Sequence, residues 1–163
     1  MSSIPQLALE HVDAELARIA DARVIAHIRK LVVRPRLVDR AWDYGNPGES
    51  YPTWNVFEDP SSDTAIAYCQ LGFGPRSPWG LVGIDGGSIG MDSGWFGSFA
   101  EAFFDSSAAT DLDIWHVTEQ AGIGEPWVFL TPEMSWEATW AQIAKLRAQF
   151  PERRFGCDHN IRR

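Results

Sequence analysis

The feature that most constrains this chain is the shortness of the connections between its apolar runs from residue 37 to residue 84. Leu37–Tyr44, Thr53–Phe57, Thr64–Phe73 and Trp79–Ile84 are rich in β-branched and aromatic residues, the composition of strands. They are separated by Asn46-Pro47-Gly48, by Asp59-Pro60-Ser61-Ser62-Asp63 and by the bend Gly72–Gly80. Each connection is turn chemistry, because Gly relaxes the backbone, Pro fixes φ, and Asp or Ser bonds back to nearby amides. A parallel neighbour needs a crossover of about a dozen residues, so the runs predict an antiparallel meander. The bend also holds Arg76, the only Lys or Arg between residues 41 and 140. One cation in so acidic a stretch is expected to pair with nearby carboxylates.

Helices are expected on both sides of the meander. Leu9, Val12, Leu16 and Ile19 share one helical face, whereas Val24, Ile25, Ile28, Leu31 and Val32 share another, rotated away from it. A break near Ala20–Asp21, with Asp21 as N-cap, gives two helices; one helix buried on two sides is the alternative. Pro35 stops the segment. Asp85–Gly97 reads as a glycine-rich loop, and Ser98 to Glu101 has the spacing of a capping box. Ile114–Val117 and Trp127–Leu130 are short strand candidates. Thr131-Pro132-Glu133 has the order of a helix start, and Trp136, Trp140 and Ile143 carry the helix on to Phe150 and Pro151. The fold class is therefore α+β: a mainly antiparallel sheet of four to six strands, packed with N-terminal helix or helices and a C-terminal helix. At 163 residues the expectation is one domain over 1–163, with 152–163 a loosely held basic tail that Phe155 anchors.

Charge divides the chain in three. Residues 1–40 carry seven Lys or Arg and five Asp or Glu, residues 41–140 one and fifteen, and residues 141–163 six and two. The blocks are +2, −14 and +4, making up the net −8, and all eight Trp and all three Tyr fall in the acidic one. Such a charge repels nucleic-acid phosphates and attracts basic proteins. The two cysteines, Cys69 and Cys157, form no C-x-x-C pair, which suits a reducing compartment. No secretory leader and no run long enough for a membrane span is visible. The expectation is a cytoplasmic protein with a basic protein partner and no nucleic acid or membrane.

Few patterns suggest catalysis. Gly86-Gly87-Ser88-Ile89-Gly90 matches the G-x-S-x-G nucleophile elbow and follows an apolar strand, but an elbow must lead directly into a helix and the residues after Gly90 are glycine-broken. A small serine hydrolase would use Ser88 with Asp113 and His116 or His159. No Lys-Ser or Lys-Thr follows these glycines, and Asp85 and Asp92 give the loop the wrong sign for phosphate. Cys157-Asp158-His159 could hold a metal or pair thiolate with imidazole, yet a zinc site wants four ligands and the other Cys and His are scattered singly. Acidic pairs such as Asp111/Asp113 and Glu58/Asp59 are what a −14 block produces without purpose. No metal or cofactor is expected.

The aromatic residues favour recognition. Trp54, Trp127 and Trp140 sit in apolar contexts and are expected in the core, whereas Trp42, Trp79 and Trp95 lie at strand ends or among Gly and Pro. Aromatics among loop acids suit a protein interface, where rings anchor and charge steers. The candidate binding set is Asp43, Tyr44, Glu58, Asp59, Asp63, Trp79, Asp85, Asp92 and Trp95. Trp42-Asp43-Tyr44-Gly45 before a meander, with Gly72-Phe73-Gly74-Pro75 leading to Pro78-Trp79-Gly80, resembles in style the small acidic immunity proteins of bacterial polymorphic toxin systems. That resemblance implies a cytosolic protein that neutralises a secreted toxin, often a nuclease. The rival readings are the Ser88 hydrolase and a non-catalytic structural or oligomeric protein.

Overall fold

The computed structural model describes residues 3–159. The fold is α+β, with four helices and two antiparallel sheets among the described residues. The chain packs as two compact units, one running to Ala109 and the other starting at Thr110.

The first unit opens with two helices, α1 (Ile4–Leu16) and α2 (Ala22–Leu31). The break falls where the two apolar stripes disagree, and the Asp21 carboxylate accepts the Arg23 amide at 2.9 Å as N-cap. The helix ends before Pro35, and Val32–Arg40 is already strand β1. The meander follows as β2 (Tyr51–Asp59), β3 (Thr64–Tyr68), β4 (Trp79–Gly83) and β5 (Trp95–Phe96), in spatial order β1-β2-β3-β4-β5. A short helix, α3 (Phe99–Asp105), begins with the capping box expected at Ser98 and Glu101. Its first amides are also taken by the Glu15 carboxylate of α1, at 3.2 Å from Phe99 N and 2.7 Å from Ala100 N.

Strand alternation gives this sheet two unlike faces. On one, Phe57 and Trp79 meet the α3 rings Phe99 and Phe103 edge-on, and Tyr68 packs on Trp79. On the other, the small residues Ala65, Ala67 and Cys69 and Val82 are covered by Ile89 and Trp95 from the 84–97 segment. That segment is fixed rather than loose: Ala41 N donates to Gly87 O at 2.7 Å, and Ile89 N to Ala41 O at 2.9 Å.

Asp59 closes the turn between β2 and β3. It accepts from the Ser61 and Ser62 hydroxyls, each at 2.6 Å. Burial pushes its carboxyl up, but the serine hydroxyls and the Ser61 amide outweigh this and hold it below the ordinary 3.8. A depressed folded value means stability that is fully present above the unfolded pKa and lost as pH falls through the folded one. Asp59→Asn should cost about 1 kcal/mol at neutral pH. Urea midpoints of mutant and wild type should then converge as the pH is lowered below 3.8.

The second unit is a three-stranded sheet in the order β7-β6-β8, from β6 (Trp115–Gln120), β7 (Trp127–Phe129) and β8 (Arg154–His159), with helix α4 (Trp136–Gln149). Val117, Ile143 and Phe155 form its core, with Met134, Leu146 and Cys157 packed around them. Two expectations are corrected here. The helix starts at Ser135, whose hydroxyl accepts the Ala138 amide. Thr131 instead accepts the Val117 amide at 2.9 Å, so it belongs to the sheet. Of the supposed loose tail, residues 154–159 pair with the whole of β6 and bury Phe155; residues 160–163 lie outside those described.

Candidate functional site

The 42–50 turn and the 70–78 bend, remote in sequence, are brought together at one end of the first sheet. Gly45 N donates to Trp42 O at 2.9 Å, turning the chain directly after β1 and its bridge residue Ala41. Gly74 takes φ 92°, a conformation that glycine adopts without strain, and Ser77 N donates to its carbonyl at 3.1 Å. The two turns meet through rings. Trp95 lies 5.8 Å from Phe73, Phe73 is 5.9 Å from Trp42, and Trp42 is 5.9 Å from Tyr44, the last two pairs edge-on. The line runs from a buried indole to a phenol that is 70% exposed.

Acids flank the exposed end. Asp43 is exposed, and Glu49 returns to the turn, accepting the Asn46 amide at 3.0 Å and the Tyr51 hydroxyl at 2.7 Å. The Tyr51 hydroxyl and the Asn46 amide hold Glu49 below the usual carboxylate range, while the same bond to Glu49 raises Tyr51. Glu49 thus stays ionised at any physiological pH. Leu71, on the bend, is also exposed.

The other candidate binding residues separate into three groups. Asp63 and Asp92 are exposed; Asp63 occupies the turn after Asp59 at φ 52°. Glu58 and Asp85 converge on Arg36, each at 2.8 Å, and their hydrogen bonds raise its pKa. Beneath this cluster Arg40 is fully buried. It donates to Thr53 Oγ1, to Asn55 Oδ1 at 3.2 Å, and to the Gly83 and Ile84 carbonyls at 2.8 and 3.2 Å. Glu58 and Asp85 are thus engaged by Arg36, and Asp59 by the serines of its own turn. The third group is a correction: Trp79 and Trp95 are core residues, not surface anchors. Trp79 packs on Tyr68 and Phe99, and Trp95 donates its indole N–H to Ile89 O at 2.7 Å.

The expected partner of Arg76 is also absent: Arg76 is exposed and makes no ion pair among the described residues. Two tryptophans expected inside, Trp127 and Trp140, are exposed.

The hydrolase set does not acquire the geometry of an elbow. Ser88 bridges to Ala41, and its hydroxyl accepts the Gly90 amide at 3.0 Å. A single 3-10 turn, Asp92–Gly94, follows instead of a helix. Asp113, His116 and His159 belong to the second unit. There Asp113 is exposed, His116 Nδ1 lies 2.7 Å from Thr131 O with its ring stacked on Phe129, and His159 packs on Trp115. Burial lowers the His159 pKa. Burial also raises the Cys157 thiol to about 11, which keeps it protonated, and raises Cys69 as well. Among the described residues no group of three His, Cys, Asp or Glu converges on a point that could hold a metal ion. No described helix is long and apolar enough to cross a membrane.

The residue missed by sequence reasoning is Phe73, which joins the two turns. Its signal was the single large apolar side chain between Gly72 and Gly74. Comparison with protein-family models, with curated proteins and with solved structures finds no match to this chain.

Proposed function

We propose that the protein is a binding module of the immunity or inhibitor kind, which engages a basic protein partner through the platform formed by Trp42, Asp43, Tyr44, Glu49 and Leu71. The observation that carries this reading is the line of rings ending at Tyr44. An exposed phenol backed by Trp42 and Phe73 loses little entropy on binding and presents a large contact. Asp43 and Glu49 beside it give the charge that steers a basic surface and repels nucleic acid. Two unpaired thiols, Cys69 and Cys157, suit work in the cytoplasm.

The test is affinity capture from the source cell at low salt, followed by kinetics with the purified captured protein. Association should slow as salt rises. Tyr44→Ala should weaken binding by about thirtyfold, the effect of losing roughly 2 kcal/mol at an anchor. Asp43→Asn should slow association a few-fold and leave dissociation nearly unchanged. Capture of no protein at low salt, or a Tyr44→Ala protein that binds as wild type does, would overturn the reading.

A further inference from the structure

Five Trp, Tyr or Phe rings are exposed among the described residues: Tyr44, Trp127, Phe129, Trp140 and Phe150. Four of them are covered by a cation or an imidazole. Arg154 lies over Trp127 at 5.9 Å, Arg147 over Trp140 at 5.8 Å and Arg153 over Phe150 at 5.2 Å, while Phe129 stacks on His116 at 4.5 Å. A ring quadrupole attracts a cation within about 6 Å of its centroid. Tyr44 is the exception. It is the most exposed of the five, at 70%, and no cation lies over it among the described residues. Trp42 meets it edge-on, which fixes its attitude and leaves a face open.

The acids beside this ring suit a planar cation. Glu49 is held in place: the Tyr51 hydroxyl donates to Oε1 at 2.7 Å, and Asn46 N and Nδ2 donate to Oε2 at 3.0 and 3.3 Å. Its carboxylate lies against Gly45, the residue after Tyr44, where an added Cβ would stand 3.2 Å from Oε2. A carboxylate accepts about four donors, so room remains on Oε1. Asp43, the residue before Tyr44, is exposed and makes no ion pair among the described residues. An ammonium is a point charge, whereas a guanidinium can lie flat on a ring while its N–H groups reach carboxylates at the rim. The chain itself covers rings in this way with arginine only. A second copy is a poor source of the cation, because two chains of net charge −8 repel.

We propose that the face of Tyr44, with Asp43 and Glu49 at its rim, is a seat for an arginine side chain of the partner, whose guanidinium stacks on the phenol and donates to the carboxylates. This inference rests on the platform reading above and names the residue type that the platform takes.

The probe is the blocked tripeptide Gly-Arg-Gly, compared with Gly-Lys-Gly. Each is titrated into the full chain at low salt while the Tyr44 ring resonances are followed by NMR. The arginine peptide should shift these resonances saturably and bind about threefold more tightly than the lysine peptide. Tyr44→Phe should keep the preference, because the face and not the hydroxyl holds the guanidinium; Tyr44→Leu should remove it. Equal affinities of the two peptides, or Tyr44 resonances that stay in place throughout, would overturn the proposal. So would an arginine preference that survives in Tyr44→Leu, or dimerisation of the free chain that Arg76→Gln abolishes, which would make a second copy the source of the arginine. A captured partner that needs Tyr44, with peptides that bind equally, would overturn the arginine seat alone. An arginine preference with no captured partner would overturn the partner reading alone.

Discussion

Arg40→Met should lower the stability of the first unit by about 3 kcal/mol, the largest loss expected from a single side chain in this protein. Arg40 is 0% exposed and makes no ion pair among the described residues. Its charge is held by dipoles: the Gly83 and Ile84 carbonyls at the end of β4, the Asn55 amide oxygen and the Thr53 hydroxyl. Burial pushes its pKa down and the nearby Arg36 adds to this, but a guanidinium remains charged at neutral pH. Methionine would fill the space of the stem and leave the Asn55 amide oxygen without its donor, whereas the Gly83 carbonyl would keep the Gly86 amide at 3.2 Å. The Ile84 carbonyl would keep Arg36 and Asn55, at 3.0 Å each, which is why the loss is not larger. Arg40→Lys should rescue little, since one ammonium nitrogen cannot reproduce the planar fork whose two nitrogens reach Thr53 on one side and Asn55, Gly83 and Ile84 on the other. Urea unfolding monitored by hydrogen exchange of the β2 and β4 amides measures the effect. An unchanged midpoint would mean that the Asn55 oxygen finds another donor.

Gly80→Ala should be nearly as damaging, by overpacking instead of loss. A Cβ at Gly80 would sit 2.5 Å from Cε2 and Cζ2 of Trp95 and 2.8 Å from Cη2. The ring cannot slide away freely, because its N–H is tied to Ile89 O and Phe73 packs on it. We expect a loss of about 3 kcal/mol. In a chain of this size each kcal/mol moves the melting temperature by about 2–4 °C. A double-mutant cycle identifies the cause: Gly80→Ala combined with Trp95→Leu should lose clearly less than the sum of the two single changes. Additive losses would place the damage elsewhere.

The meander was legible because its evidence is local: runs, turns and the one capping box. What sequence reasoning inverted was the placement of the tryptophans. Trp95 stands between Gly94 and Phe96 in a glycine-rich stretch, and that context suggested exposure. In fact the glycines that admit its ring lie far off in sequence: Gly80 beneath it, and Gly72, where an added Cβ would stand 3.4 Å from the ring. A glycine inside a strand pattern signals close approach, so Gly80 announced a neighbour without saying which. Trp127 erred in the other direction. Trp-Val-Phe-Leu reads as core by composition, but whether a strand is central or outer is decided by pairing over long separations. The basic composition of residues 152–163 likewise hid β8, although Phe155 was rightly expected to anchor it.

Of the site, Trp42–Gly45 and Gly72–Gly80 were both visible as special stretches. That their rings form one line was not, since it depends on where β1 and β3 end relative to each other. In the sequence Arg40 alternates with Val38, Trp42 and Tyr44, a phase that puts a cation on a face with aromatics. Its partners, Asn55 and the Gly83 and Ile84 carbonyls, are supplied by the register of three strands.

The prolines on either side of β7 bear on how this chain behaves when crowded. Four uncharged apolar residues at an open edge are the material from which fibres grow, yet a tight zipper takes about six or seven residues in a row without proline. Pro126 and Pro132 lack the N–H that would carry the ladder further. Any strand laid there finds rungs only over the stretch 127–131 and then runs out. The edge can therefore remain uncovered without seeding aggregation.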